Sequence, residues 1–434
     1  MPKNKLAGLV DSGPLPSLPA GPSARSILIA IAFVAGFAEL AYAVMNLSAM
    51  PVYLHLSMGY ETPAIAGIGT AFLFFEGVMK GPFGILGDRI GRKWLIVAGP
   101  AVSIVTAILT LFVHANQWYF FVFLRILDGL GAAALWPSAL VMIADVVSEE
   151  KRSQAMSMFN VTYLIGIAIG PFIGGVTNDV THMVLPNVDQ RQASFYLISI
   201  LFAITAFVAY WRLPDIRPHH EHLPEIEAGF SFPALIHSLK QIPSTLIMSF
   251  VTFFGVGLIM LIIKLFAMAE FKINETTFGA LLLVPCLIIA VFSVSLGTLG
   301  DRIGRVKAIR VGLGVCATSM WAIIFAPGQL SLVIGGSCIG VGFVIAFPAW
   351  MAHVSSTCAP SQRGGVMGAV GTAQGIGAMS GAFLGGLLYQ RANWHLPFIH
   401  SEHPSHYMPF IGCAIMLIIS WVISMTSIHE PQSA

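Results

Sequence analysis

Read from its first residue, the chain alternates long apolar stretches with short polar ones. Apolar runs occupy positions 27–50, 64–86, 94–114, 117–143, 155–178 and 193–213, then 244–268, 277–299, 308–327, 329–351, 364–389 and 407–428. Each is close to the roughly 20 residues that carry an α-helix across a bilayer. None shows the alternation over about ten residues that marks a membrane β-strand. The pattern predicts an all-α polytopic membrane protein of twelve transmembrane helices. The longest polar stretch, 214–243, separates the sixth run from the seventh and holds Asp215, Arg217, Glu221, Glu225, Glu227 and Lys240. The expected layout is a disordered tail over 1–26, a six-helix bundle over 27–213, a connector over 214–243, a second bundle over 244–428 and a tail over 429–434.

Composition narrows the class. Of 434 residues, 56% are hydrophobic and 10% charged, against roughly 25% charged in soluble domains, so a water-soluble enzyme is excluded. No phosphate-binding Gly-Lys-Ser/Thr loop, nucleophile elbow or helical zinc-protease pattern occurs. Neither ATP-driven transport nor enzymatic activity is expected, and no cofactor is called for beyond a proton gradient as energy source. A net charge of +2, with basic residues scattered, gives no reason to expect a nucleic-acid partner. Cys286, Cys316, Cys338, Cys358 and Cys413 imply no disulfide framework. His219, His220 and His222 in the connector, and His395, His400, His403 and His406 before the last run, lie in short loops that seldom give metal-site geometry alone; no metal is expected.

Charge also sets orientation. With the N-terminus inside, 16 of the 22 Lys and Arg residues fall in cytoplasmic segments, Arg191, Lys272 and Arg391 fall outside, and Lys80, Arg125 and Lys264 fall within spans. That asymmetry predicts cytoplasmic termini. Small outside loops and the lack of a soluble domain suggest a multi-pass monomer in a bacterial inner (plasma) membrane.

The two sets of runs repeat each other. Gly87-Asp88-Arg89-Ile90-Gly91-Arg92 returns 213 residues later as Gly300-Asp301-Arg302-Ile303-Gly304-Arg305. Gly166, Gly170, Gly174 and Gly175 return 211 residues later as Gly377, Gly381, Gly385 and Gly386, and Pro137 returns as Pro348. Two pseudo-symmetric six-helix bundles follow, an arrangement of parallel repeats that places a substrate site between the halves near the midplane.

The residues from Gly84 to Lys93 resemble the signature loop between spans 2 and 3 of the major facilitator superfamily. Leu124 to Gly131 resembles its span 4 motif, and Gly166 to Gly175, with Gly170-Pro171 inside, resembles the span 5 motif of its proton-coupled drug-efflux branch. The resemblance covers essentially the whole chain. It implies a gating role for Gly84, Gly87, Asp88, Arg89, Gly91 and Arg92, with Asp88 latching the halves on the cytoplasmic side. The copy at Asp301, Arg302 and Arg305 is expected to be weaker, because Val306 stands where a basic residue is expected. The resemblance also links Arg125 to proton coupling; Asp128 departs from the uncharged polar residue expected there. Gly166, Gly170 and Gly174 line one helix face and permit close backbone approach, while Pro171 can kink its helix. Ala382 replaces that proline in the second copy, so the halves are not expected to bend alike.

Charges inside a membrane are costly and face a cavity or a partner. Glu39 lies near the centre of span 1. Glu76 and Lys80 are one turn apart on span 2 and can pair, and Arg125 and Asp128 are one turn apart on span 4. With three acids and two bases, one carboxyl is left over. Glu39 has no cation on its own helix and is the first choice for a residue that takes up and gives back a proton, modulated by Arg125 and Asp128; Asp128 either neutralises Arg125 or is a second proton site, and Glu76 with Lys80 is either a static pair or a coupling element. Lys264 is expected to snorkel to the headgroups, and His353 to be interfacial. Phe253, Phe254, Phe266, Phe343, Phe347 and Trp350 occupy spans 7 and 10. A cavity with charge on one wall and aromatics on the other suits an amphipathic substrate, with Glu39, Phe254, Phe347 and Trp350 as contacts.

The expected function is secondary transport by alternating access, as proton-coupled export of an amphipathic or lipophilic small molecule. Alternatives are a proton-coupled importer of an organic anion held by Arg125 or Lys264, a non-transporting receptor or scaffold, and uncoupled lipid movement between the halves. The expected partners are the substrate, protons and the lipid bilayer.

Overall fold

The computed structural model describes residues 24–147, 149–215, 243–297, 299–356, 363–391 and 403–428. Most of the tails, most of the connector and the histidines at 219, 220, 222, 395 and 400 lie outside them. Among the described residues there are helices and no strands. In the first half these are α1 (Ala24–Ala43, continued to Ser57), α2 (Thr62–Ile90), α3 (Arg92–Thr110), α4 (Trp118–Val146), α5 (Glu149–Val184) and α6 (Ala193–Arg212). The second half has α7 (Pro243–Met260, resuming as Ile263–Phe271), α8 (Glu275–Gly297, followed by Leu299–Ile303), α9 (Arg305–Phe325), α10 (Gln329–Ser356), α11 (Arg363–Arg391) and α12 (Met408–Ser427). Eleven of the twelve are long and apolar enough to cross a membrane. The exception, α11, has 29 residues and so the length, but its many glycines dilute its apolar character.

Two departures from the expected spans matter for the site. The first span does not stop at residue 50 but runs on through π-helical segments Val44–Ala49 and Tyr53–Ser57, on either side of Met50–Val52. Pro51 lies between them and has no backbone N–H to give to the helix, which accounts for the irregular winding. The seventh span breaks at Leu261 and Ile262 and resumes for nine residues.

Between lipid-embedded helices there is little hydrophobic driving force, so close backbone packing holds the bundles together. A side chain at Gly131 would meet the Gly99 carbonyl at 2.8 Å, joining α3 to α4; the same close approach joins Gly312 to Gly342 in the second half. The turns between the second and third helices of each half are also copies. Gly91 has φ 96° and ψ 135°, and Gly304 has φ 96° and ψ 137°, a backbone that glycine adopts without steric cost.

At the last turn of α12, Arg310 donates to the carbonyls of Ser424 at 3.2 Å, Met425 at 3.2 Å and Ile428 at 2.9 Å. These oxygens have no partner inside their own helix. Arg310→Gln is expected to cost about 1–3 kcal/mol, seen as a lower midpoint of thermal unfolding in detergent. An unchanged midpoint would show that other donors replace the guanidinium.

Candidate functional site

The glycine ladders build the site. On α5, a Cβ at Gly166 would lie 2.8 Å from the Gly36 carbonyl, one at Gly170 would lie 2.5 Å from the Ala43 side chain, and one at Gly174 would lie 2.7 Å from Ser48 Oγ. The ladder thus seats α1 against α5. Its copy on α11, Gly377, Gly381 and Gly385, seats α7 through Phe250, Phe254 and Leu258. The fourth glycine of each set turns to the opposite half. A Cβ at Gly175 would lie 2.6 Å from the Thr276 nitrogen of α8, and one at Gly386 would press on Ala66 and Thr62 of α2. Gly279 of α8 likewise approaches α5 at Pro171 and Phe172.

These seams lie at the end of the molecule opposite the Gly87–Lys93 turn. Toward that basic turn the α2–α11 seam parts: beside Gly77, Gly81 and Gly84 on α2, and Gly371 and Gly375 on α11, a Cβ would find nothing within 4 Å. The halves are closed at the far end, and α2 and α11 are splayed toward the basic end.

In the first half the ionisable groups resolve into two clusters. Arg125 and Asp128, each 1% exposed, pair at 2.7 Å on α4. The guanidinium also donates to Asn46, which the π-helical winding of α1 carries, and stacks 4.5 Å from the Phe72 ring centroid. Thr106 of α3 donates to the second oxygen of Asp128, and Tyr42 and Ser103 exchange a hydrogen bond of 3.2 Å alongside. This cluster is neutral, closed and drawn from four helices.

The second group lies on α1 and α2. Lys80 pairs with Glu76 at 2.7 Å, as the spacing predicts. Glu39 is 8% exposed, with Tyr163 of α5 beside its carboxyl and Gly166 so close that an added Cβ would lie 3.0 Å from its own Cβ. The Lys80 side chain is 45% exposed, and Glu39 forms no ion pair among the described residues. Asn46, Ser103, Thr106 and Tyr163 were not singled out from sequence, since uncharged polar residues in apolar runs have no partner visible along the chain.

At the basic end, Arg92 pairs with Asp145 of α4 and Arg305 donates to the Ala352 carbonyl of α10 at 3.3 Å, so each is tied within its own half. Arg89 and Arg302 are exposed. Val306, 4% exposed, is a packing residue of the second bundle. The side chains of Asp88 and Asp301 lie outside the described residues.

Several expectations change. Lys264 does not reach the headgroups: it is 1% exposed and donates to Glu275 at 2.7 Å, Ser48 Oγ at 2.7 Å and the Ser48 carbonyl at 3.1 Å. The break in α7 and the ion pair together turn its side chain inward. His353 is 5% exposed and Trp350 1% exposed, both buried in the second half. Trp350 packs among Met248, Val306 and Ile345, so it fills the core in this conformation and does not line a cavity. Phe266 likewise packs on Phe410 and Tyr407. The half-buried aromatics are Phe253, Phe254, Phe343 and Phe347, with Phe343 and Phe347 stacked at 5.1 Å and Phe253 6.3 Å from each. At the far end His406 bonds Glu270 at 2.6 Å and stacks on Tyr389.

The sequence and fold have relatives. Residues 28–243 and 245–433 match the family model described as Major Facilitator Superfamily. The chain is 28% identical over 357 residues to Multidrug resistance protein 2 of Bacillus subtilis, covering 80% of this chain and 84% of that one. It is 23% identical over 336 residues to Multidrug resistance protein 1 of the same organism, covering 77% and 81%. Among solved structures, a bacterial homologue of the human lysosomal transporter Spinster, in an inward-facing unoccupied conformation, superposes with a TM-score of 0.74 at 13% identity, covering 94% of this chain and 98% of that one. The nucleoside transporter NupG superposes with a TM-score of 0.73 at 11% identity, covering 92% and 99%. Matched along nearly its whole length and folded as two six-helix halves, the chain belongs to the major facilitator superfamily of membrane transporters.

Proposed function

We propose that this transporter exports an amphipathic or lipophilic small molecule in exchange for protons, by alternating access. The observation that carries the reading is Glu39, a carboxyl only 8% exposed within a membrane-spanning helix. Arg125 pairs with Asp128, Lys264 with Glu275 and Glu76 with Lys80, whereas Glu39 forms no ion pair among the described residues. One proton on Glu39 neutralises this carboxyl; one cationic substrate does the same. Proton and cation therefore compete for one carboxyl, which is the minimum an exchanger needs.

The Lys and Arg asymmetry of the loops assigns the basic end to the cytoplasm. The described shape is then inward-facing, the state in which Glu39 gives up its proton to the cytoplasm and accepts substrate. Phe253, Phe254, Phe343 and Phe347 offer the second half's aromatic surface to the apolar part of such a molecule. Relatives named as multidrug resistance proteins support the same substrate class. The importer reading is disfavoured because Arg125 and Lys264, the cations that would hold a carboxylate, are both occupied.

Substrate-induced proton movement in proteoliposomes tests this, with lipophilic cations, neutral drugs and organic acids offered in turn. The expected result is proton release on adding a lipophilic cation, absent in Glu39→Gln. Full gradient-driven transport by Glu39→Gln would remove Glu39 from the mechanism, and proton uptake with an organic acid would make the protein an importer.

A further inference from the structure

The far-end seams are related by the internal repeat, and the relation exposes a difference between them. Each half's fifth helix grips the start of the other half's second helix. On one seam, Gln390 of α11 accepts at its Oε1 from the Thr62 backbone N–H at the start of α2, at 3.1 Å. On the other, Asp179 of α5 accepts from the Thr276 hydroxyl at the start of α8, at 2.6 Å. Asp179 and Gln390 are separated by the same 211 residues as the glycine sets, and Thr62 and Glu275 by the same 213 as the basic turns. The Thr62–Gln390 contact is uncharged. The α5–α8 seam has acquired Asp179 and, at the position equivalent to Thr62, Glu275, which faces Lys264.

The Lys264–Glu275 pair is satisfied only while the halves touch. Of the three hydrogen bonds from Lys264 Nζ, one goes to Glu275 in its own half and two go to Ser48 in the first half. The Glu275 carboxylate receives Asn178 Nδ2 of the first half at 3.2 and 3.3 Å. Asn178 is in turn fixed by the Ser194 hydroxyl, which donates to its Oδ1 at 2.7 Å. Ser48 is reachable because Gly174 has no side chain where Ser48 Oγ sits, and because Ser48 lies in a π-helical turn of α1. Lys264, Glu275, Ser48 and Asn178 are all at most 5% exposed. Parting the far end would strip the pair of every first-half partner at once, in favour of external water.

We infer that the Lys264–Glu275 pair is the outer latch of the transport cycle, closing the far end by engaging Ser48 and Asn178 of the opposite half, while the pseudo-equivalent Thr62–Gln390 contact carries no charge. The inference rests on the alternating-access part of the proposed function and is independent of the coupling ion and the substrate. It makes Lys264, Glu275, Ser48 and Asn178 positioning residues that set how often the far end opens.

The test is a distance distribution by electron-spin resonance between labels at Met183, near the end of α5, and Lys272, just before α8, with native cysteines replaced and the protein in lipid nanodiscs. Both label positions are exposed. Lys264→Met and Glu275→Gln are each expected to raise the long-distance population at least about fivefold, within the range of ordinary coupling energies. Gln390→Ala is expected to shift it less. Should a single variant leave a lone buried charge and misfold, the doubly neutral Lys264→Met/Glu275→Gln gives the same readout. Two wild-type populations unchanged in these variants would overturn the latch alone, as would a Gln390→Ala shift as large as theirs. One short distance in wild type and every variant, in acidic and alkaline buffer alike, would overturn alternating access together with the latch.

Discussion

Asp128→Asn is expected to cost about 3–5 kcal/mol, because it leaves the Arg125 guanidinium buried without its counter-charge. Both residues are 1% exposed, and the remaining side-chain acceptor for Arg125 is neutral Asn46. The expected readout is a sharp fall in monodisperse yield and in the thermal unfolding midpoint in detergent. Arg125→Leu combined with Asp128→Leu removes both charges and should recover most of that loss, since replacing a buried pair by apolar residues is often neutral. Thr106→Val, which removes one hydrogen bond to the Asp128 carboxylate, should cost less, about 1.5–3 kcal/mol. If Asp128→Asn were as stable as wild type, the Arg125 cluster would have to be hydrated, and the picture of a dry neutral pair would fail.

Gly175→Ala is expected to stop transport while leaving the fold intact. The added methyl would lie 2.6 Å from the Thr276 nitrogen and 2.7 Å from the Glu275 carbonyl carbon. Those are backbone atoms at the start of α8, which cannot rotate aside as a side chain can. The only relief is to part α5 from α8, which denies the protein its far-end-closed state. Efflux of a lipophilic cation should fall more than about tenfold, equivalent to roughly 1.4 kcal/mol against closure. Gly67→Ala on α2 is the matched control, since nothing lies within 4 Å of the added methyl and alanine is the better helix former. Equal activity of the two variants would show that the far end does not need to close this tightly.

Neighbouring glycines of α5 serve different contacts. Gly174 and Gly175 are adjacent, yet Gly174 faces α1 of its own half and Gly175 faces α8 of the other. A ladder of residues four apart stays on one helix face; the next residue turns about 100° away. Intra-bundle packing and inter-bundle closure are therefore written side by side on one helix, and a substitution at one should not mimic the other.

Most of the architecture was legible without coordinates. Twelve apolar runs and the exact spacing of the repeated glycines imply two bundles of six, because a helix that must satisfy its own backbone in lipid leaves few alternatives. The Glu76–Lys80 and Arg125–Asp128 pairs were legible for the same local reason, each being one helical turn apart. What remained hidden depends on contacts between residues far apart in the chain. Lys264 read as an end-of-span lysine, because Ser48 lies 216 residues away and nothing in either segment points to the other. Trp350 read as a cavity aromatic, because an aromatic in an apolar run has the same local signature whether it faces a core or a cleft.

By itself, then, the sequence determined the helices, their pairing into repeats, the family and the residues whose burial would be costly, since these follow from periodicity and from the price of charge in lipid. Only the tertiary structure decided which partner meets each charge: it enclosed Arg125 with Asn46 and Thr106, set Glu39 beside Tyr163, and joined Lys264 and Glu275 to the opposite half. Partnering is a matter of distance in space, and in a bundle of twelve helices that distance is set by which glycine faces let backbones meet.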